Sequence, residues 1–172
     1  MVERMMAALQ GNKWNAIVAM SENRVIGRSN RLPWRIPSDM AWFNEITDGQ
    51  ILVMGRKTLE SMKTLRPRNS YLVLTRDKGY APPAPNVEVI HDLADIPAGG
   101  ETSGRGVWIC GGSAIYRKTL PKCRYLYITT VKMTCEGDAF FPPFEDLFGL
   151  EETISEDSQI IIQRYKNKTC IG

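Results

Sequence analysis

The sequence is poor in residues that bind metal ions or form disulfide frameworks. It has one histidine, His91, and its four cysteines (Cys110, Cys123, Cys135 and Cys170) are widely spaced, with no C-x-x-C pair. A structural zinc site needs about four closely placed ligands. We therefore expect no metal site, and we expect reduced thiols in a cytoplasmic protein.

Long apolar runs and concentrated charge are also missing. No segment approaches the roughly 20 apolar residues that span a bilayer, and the first 13 residues lack the apolar run of a signal peptide. The net charge is only +3, with scattered lysines and arginines, which disfavours nucleic acid as a partner. We expect a monomer that binds neither membrane nor nucleic acid, with an N-terminal extension at 1–13 and one domain at 14–172.

The apolar pattern indicates an α/β fold. Short β-type runs alternate with helical stretches, which is typical of a mostly parallel central sheet. The last two strand-like runs have no helix between them, which predicts an antiparallel C-terminal edge strand. The predicted strands are Ala16–Met20, Ile51–Met54, Tyr71–Leu74, Val87–Ile90, Val107–Cys110, Tyr125–Val131 and Gln159–Tyr165. About four flanking helices are predicted, at Asp39–Thr47, Arg56–Met62, Ala114–Leu120 and Leu93–Ile96.

One carboxylate falls on an apolar helix face. Asp39, Met40, Phe43 and Ile46 recur at helical spacing and form one stripe, which is expected to face the interior or a pocket. A buried carboxylate is costly unless it has a partner. The alternative is a solvated acid that favours the helix dipole.

A proline-bracketed loop precedes this helix and carries Leu32 and Trp34. Bulky apolar side chains on a loop suit the covering of a flat ligand and the exclusion of water. Simple packing of the loop on the core is the alternative. Thr129 in a predicted strand is either a good β-former or a hydroxyl partner for a buried acid such as Asp39.

Three strand ends carry groups that suit phosphate binding. Gly55–Thr58 opens a helix with two cations, Thr75 and Arg76 follow the next strand, and Gly111–Ser113 follows a third, where Ser113 can cap a helix or touch phosphate. Ligands of open α/β sheets bind at the carboxyl ends of the strands. The fingerprint G-x-G-x-x-G is absent, which argues against an ordinary Rossmann domain.

Together these segments resemble the dihydrofolate reductase family, from Asn15 to about Tyr165. The ordered set is specific although each member alone is weak. The segments are Asn23–Gly27, Leu32–Trp34, Pro37–Phe43, Met54–Thr58, Gly111–Gly112 and Glu136–Asp138.

The resemblance implies reduction of dihydrofolate with NADPH, in support of one-carbon and thymidylate metabolism, and it implies antifolate inhibitors as further ligands. Asp39 would hold the 2-amino group and N3 of the pterin, Thr129 would tie that carboxylate to a water, and Leu32 and Trp34 would belong to a mobile loop. The substrate contacts it implies are Ile17, Val18, Ala19, Met40, Phe43, Met62, Leu65, Arg68, Cys110 and Tyr116.

The resemblance also implies the NADPH contacts. Arg56 and Arg76 are expected to bind the 2′-phosphate and so to select NADPH over NADH, and Asp138 is expected to brace the mobile loop. The whole set is Ala19, Ile26, Gly27, Asn30, Leu32, Gly55, Arg56, Lys57, Thr58, Leu74, Thr75, Arg76, Cys110, Gly111, Gly112, Ser113, Ala114, Ile115 and Tyr116.

The chain departs from the family pattern in three places. Ser113 replaces a glycine or similar small residue, and Cys110 replaces an aliphatic residue. The arginine that binds the glutamate-tail carboxylate aligns strictly with Asn69 and, after a shift of one residue, with Arg68. We prefer Arg68, because a guanidinium grips a carboxylate bidentately.

Two other functions are weighed against this one. A related reductase of riboflavin synthesis shares the fold and cofactor, but Asp39 and the Leu32–Trp34 loop argue against it. A non-catalytic NADPH- or folate-binding protein would bind without turnover. Chain length and the α/β pattern exclude the small β-barrel type of plasmid-encoded reductase.

Overall fold

The computed structural model describes residues 14–99 and 102–169, so the predicted extension at 1–13 and Cys170 lie outside the described residues. Within these ranges the strands are β1 (Trp14–Ser21), β2 (Val25–Gly27), β3 (Ile51–Gly55), β4 (Ser70–Leu74), β5 (Val87–Ile90), β6 (Val107–Ile109), β7 (Cys123–Val131), β8 (Ala139–Phe140), β9 (Phe148–Glu156) and β10 (Ile160–Asn167). The α-helices of the described chain are α1 (Pro37–Ile46), α2 (Arg56–Ser61) and α3 (Ser113–Thr119).

Eight strands form one sheet in the order β5-β4-β3-β6-β1-β7-β10-β9. Every neighbouring pair from β5 to β7 is parallel, and β10 is antiparallel to both β7 and β9. The predicted α/β architecture, a mostly parallel sheet with an antiparallel C-terminal edge, is therefore confirmed, but the outermost strand is β9 and not the predicted strand β10. Strands β2 and β8 pair separately as a small antiparallel sheet.

Three strands were not predicted, for a physical reason in each case. Strand β9 forms the outer edge beyond β10, and of its side chains only that of Phe148 is buried, so it lacks an apolar alternation. Strands β2 and β8 have three and two residues, too few to show any period.

The helix predictions need small corrections. Helix α1 begins at Pro37, whose fixed φ suits the first helical position, and α3 begins at Ser113. The expected fourth helix at Leu93–Ile96 is a single 3-10 turn at Leu93–Asp95, and a second 3-10 turn follows α3 at Leu120–Lys122.

The alternating side chains of β1 show that the helices pack on opposite faces of the sheet. Ala16 and Val18 pack in one core cluster with Ile115 of α3. Ile17 packs in a second cluster with Leu59 of α2, against which Phe43 of α1 also packs. Successive strand side chains point to opposite faces, so α1 and α2 lie on one face and α3 on the other.

This arrangement brings the loops that follow the parallel strands to one edge of the sheet. The loops and helices that follow β1, β3, β4 and β6 contain most of the predicted site residues. No helix in the described ranges is long and apolar enough to cross a membrane, and these ranges contain no group of three or more acidic, histidine or cysteine residues that could hold a metal ion.

Candidate functional site

Asp39 lies in the first turn of α1 and is the buried residue of that helix, with 8% of its surface exposed. Its backbone N–H donates to the carbonyl of Ile36 at 3.1 Å. Ile36 is the N-cap and supplies no side-chain acceptor for the free N–H groups of this turn. An acid in the first turn is favoured by the helix dipole. Helix geometry therefore suits an acid here even though burial opposes its charge.

The partner of this carboxyl is Thr129, which lies in β7 opposite Ala19 of β1 and is itself buried. The Thr129 hydroxyl donates a hydrogen bond to the Asp39 side chain. Burial raises the pKa of Asp39, and this hydrogen bond opposes the shift by favouring the carboxylate. One hydrogen bond does not satisfy the several acceptor sites of a carboxylate, so Asp39 retains capacity to bind a ligand.

The apolar stripe around Asp39 is open rather than buried. Met40 has 50% of its surface exposed, whereas Phe43 and Ile46 are half-buried and pack against the second core cluster beside Met62 and Leu65. The stripe is therefore an open apolar wall next to a buried acid, and not a core face. Such a wall suits one side of a flat aromatic ligand.

The loop at 28–36 is held from two sides. Asn30 Nδ2 donates to the carbonyl of Lys57 at 3.0 Å, and the backbone N–H of Ser29 donates to Asp138 Oδ2 at 2.8 Å. The backbone N–H of Asp138 in turn donates to the carbonyl of Gly27 at 3.0 Å. Asp138 thus contacts the loop as expected.

The two apolar residues of that loop differ in their surroundings. Leu32 has 45% of its surface exposed. Trp34 is half-buried and packs with Ile36, Val131 and Ile162. The alternative of packing on the core therefore holds for Trp34, whereas Leu32 is free to contact a ligand.

The turn after β6 and the helix that follows it contact two other strands, β3 and β1. The Gly111–Gly112 peptide bond is cis, and Gly111 has a φ of +104°. A Cβ at position 111 would lie 2.9 Å from the Tyr116 ring, so only glycine fits. The carbonyl of Gly111 accepts from the N–H of Gly55 at 2.9 Å, and Tyr116 Oη donates to the carbonyl of Ile17 at 2.6 Å.

The Gly112 side of this turn meets α2. A Cβ at Gly112 would lie 3.6 Å from Thr58 Oγ1, so two of the predicted phosphate-binding turns are adjacent. Gly112 is the N-cap of α3, and that helix has no side-chain cap. The expectation that Ser113 caps the helix is therefore wrong, since Ser113 is already its first residue.

Cys110 is a half-buried thiol beside these groups. Burial raises its pKa to about 12, and the positive charge of Arg66 acts weakly in the other direction. Burial also raises the pKa of Tyr116 well above its ordinary value. Because the thiolate is the reactive form, this shift disfavours a nucleophilic role for Cys110.

Comparison with known proteins agrees with this geometry. The dihydrofolate reductase family profile matches residues 13–167. The chain is 39% identical to a dihydrofolate reductase of Staphylococcus aureus over 132 residues, which cover 76% of this chain and 79% of that protein. It is 35% identical to one of Enterococcus faecium over 147 residues, which cover 82% and 87%.

The chain belongs to the dihydrofolate reductase family. A solved structure titled as dihydrofolate reductase from Enterococcus faecalis complexed with NADP(H) and RAB-propyl superposes with a TM-score of 0.79 and 32% sequence identity. The superposition covers 92% of this chain and 98% of that one.

Not all implied dihydrofolate reductase residues share one pocket. Ile17 lies on the α1 face with Phe43, whereas the side chain of Val18 packs on the opposite face with Ile115. Val18 can therefore contact a substrate on the α1 face only through its backbone, because neighbouring strand residues point in opposite directions.

The segment expected to supply the arginine for the glutamate-tail carboxylate contains three candidate residues in different surroundings. The side chain of Arg68 is 74% exposed and pairs with Asp48 at 2.8 Å. Asn69 is buried, and its Nδ2 donates to the carbonyl of Thr47 at 2.6 Å, which is a structural role. Arg66, which we did not select, lies with its guanidinium 5.6 Å from the centre of the Phe43 ring. Its position directly after the predicted channel residue Leu65 was the available signal.

The two arginines that we expected to bind the 2′-phosphate have different surroundings. Arg56 forms ion pairs with Glu60 at 2.8 Å and with Asp77 at 3.1 Å. Arg76 is exposed and has no ion pair within the described part of the chain. The carbonyl of Thr75, the residue before Arg76, is 2.7 Å from Nδ1 of His91.

Proposed function

We propose that this chain catalyses the NADPH-dependent reduction of 7,8-dihydrofolate to 5,6,7,8-tetrahydrofolate. The observation that carries this proposal is the buried carboxyl of Asp39, bonded to Thr129 and bordered by the exposed Met40 and half-buried Phe43. Membership of the dihydrofolate reductase family supports the same reaction.

The pterin ring complements this acid. Its 2-amino group and N3 place two N–H donors side by side, which fits the two oxygens of one carboxylate. Asp39 would accept both hydrogen bonds and so fix the orientation of the ring, while the Met40–Phe43 wall contacts its face. Antifolate inhibitors with the same pair of donors are also expected to bind here.

The chain has groups that fit NADPH at the strand ends. Gly112 brings the backbone close to Thr58, and Arg76 is exposed and has no ion pair among the described residues, so its guanidinium can bind phosphate. When bound, NADPH supplies a hydride from nicotinamide C4 to C6 of the pterin. The implied contacts include Lys57 and Thr75.

The protein groups contribute placement, water exclusion and an electrostatic field. With Asp39 bound to N3 and the 2-amino group, its carboxyl would be too far from N5 to protonate it directly, so we assign that proton to a water admitted near Leu32. Asp39 polarises and orients the ring. Leu32 and the packed Trp34 limit other water near the reacting atoms.

We also propose that Arg66, rather than Arg68, binds the glutamate-tail carboxylate. Its Nη1 donates to the carbonyl of Asn44 at 2.7 Å, and its Nη2 donates to Thr47 Oγ1 at 2.7 Å. These bonds anchor the guanidinium beside Phe43, and a guanidinium has five N–H donors, so three remain for a ligand.

We propose that the enzyme acts as a monomer in the cytoplasm. Within the described ranges, Cys110 and Cys135 are not joined in a disulfide, as in a protein kept in a reducing compartment.

The Asp39→Asn variant tests the proposal. We expect NADPH consumption with dihydrofolate to fall about 10²- to 10⁴-fold, while NADPH affinity, measured by calorimetry, stays close to that of the wild type. Thr129→Val removes one hydrogen bond and is expected to cost less.

Asp95→Asn, an exposed acid in the 3-10 turn, is the matched control, and thermal unfolding shows whether each variant folds. Turnover by Asp39→Asn at the wild-type rate would refute the role of this acid.

A further inference from the structure

The acid that follows the proposed phosphate-binding residues Thr75 and Arg76 is held in a fixed position. Asp77 Oδ1 accepts from the backbone N–H of Gly79 at 2.9 Å, and the backbone N–H of Asp77 donates to Thr75 Oγ1 at 3.1 Å. These bonds form a local turn of the kind that aspartate favours. The carboxylate therefore stays beside the end of β4 instead of moving freely in solvent.

The other oxygen of this carboxylate contacts Arg56. Asp77 Oδ2 lies 3.1 Å from Arg56 Nη1, although the two residues are 21 positions apart in the sequence. Asp77 thus contacts two groups, Thr75 and Arg56, that we assign to the cofactor. It carries the charge that repels a phosphate.

We propose that Asp77 is a specificity-determining residue that weakens the preference of this enzyme for NADPH over NADH. The inference rests on the proposed function, because it concerns the 2′-phosphate that distinguishes these two cofactors. A phosphate that approaches Arg56 meets the Asp77 carboxylate, which already forms an ion pair with the Arg56 guanidinium. Arg76, which is exposed and has no ion pair within the described ranges, remains available to the phosphate.

Two further contacts hold Arg56 in place. Its Nε donates to Glu60 at 2.8 Å, and its guanidinium carbon lies 4.7 Å from the centre of the Tyr80 ring. Removal of the Asp77 charge therefore leaves Arg56 in place. Because these contacts still position Arg56 while the repulsion is lost, phosphate binding is expected to strengthen.

Asp77→Asn tests this inference with little change in structure. The amide oxygen of asparagine can still accept from Gly79, so the turn is retained. Glu156→Gln is a matched control, because Glu156 also forms an exposed ion pair, with Lys132 at 2.8 Å, and lies in β9 at the opposite edge of the sheet.

The probes are adenosine 2′,5′-bisphosphate and adenosine 5′-monophosphate, titrated by calorimetry into each folded variant. We expect Asp77→Asn to bind the bisphosphate about threefold to tenfold more tightly, with unchanged affinity for the monophosphate. The gain should shrink as salt is raised, since exposed charges are screened. The KM for NADPH should fall while the KM for NADH stays constant.

The outcomes separate the two proposals. If the wild type binds both probes equally, the cofactor part of the proposed function fails. If the wild type prefers the bisphosphate but Asp77→Asn leaves that preference unchanged or lowers it, only the role of Asp77 is overturned. An equal gain in Glu156→Gln would attribute the effect to net charge and would also overturn it.

Discussion

At the scale of single residues, the proposed site depends on two side chains that the chain holds in uncommon surroundings. Asp39 is buried on an otherwise half-exposed helix, and Arg66 is held against an aromatic ring. The spacing of Asp39 with Met40 and Phe43 indicated the first. It did not indicate the second, because a guanidinium at the end of a long side chain reaches several positions.

Arg66→Leu tests the second residue. A charge-assisted hydrogen bond to a carboxylate contributes about 1.5–3 kcal/mol, so the KM for dihydrofolate is expected to rise about 10- to 100-fold. Turnover of a dihydropterin without the glutamate tail should be unchanged, which separates carboxylate binding from structural damage. A rise in KM with Arg68→Leu but not with Arg66→Leu would instead support the residue that the sequence alone favoured.

At the scale of secondary structure, apolar alternation predicted the interior strands but not the peripheral ones. Strands β3 and β4 consist of buried residues on both faces, so their runs stand out. Strand β9 and the small β2–β8 sheet carry no such pattern. Their positions follow from pairing with distant segments, such as Val25 with Phe140, which local sequence does not specify.

The small β2–β8 sheet also supports the 28–36 loop. Gly137 lies against it so closely that a Cβ there would overlap the Val25 side chain and lie 2.7 Å from the carbonyl of Gly27. Asp138, the next residue, holds Ser29. We expect Gly137→Ala to lower the free energy of unfolding by about 1–3 kcal/mol and to reduce turnover.

Gly149→Ala in β9 is the control, because its Cβ would meet only the Lys168 side chain at 3.8 Å. Chemical denaturation and steady-state kinetics measure the two effects. A Gly137→Ala variant that matches Gly149→Ala in both would show that the close approach to Gly27 is not needed.

At the scale of the whole molecule, the strand order creates the site. The placement of β6 and β1 between β3 and β7 brings Gly111 next to Gly55 and Thr129 next to Ala19. The rule that ligands bind at the carboxyl ends of parallel strands selected the turns that we propose for the cofactor. It did not predict that Asp77 would pair with Arg56, because that contact depends on how two loops bend toward each other.

The most direct test of the account is a crystal structure of the chain with NADP⁺ and dihydrofolate bound together. We predict that the carboxylate oxygens of Asp39 lie about 2.7–3.0 Å from N3 and the 2-amino nitrogen of the pterin. A bound pterin whose N3 and 2-amino group face other residues, with Asp39 bonded to Thr129 alone, would contradict it.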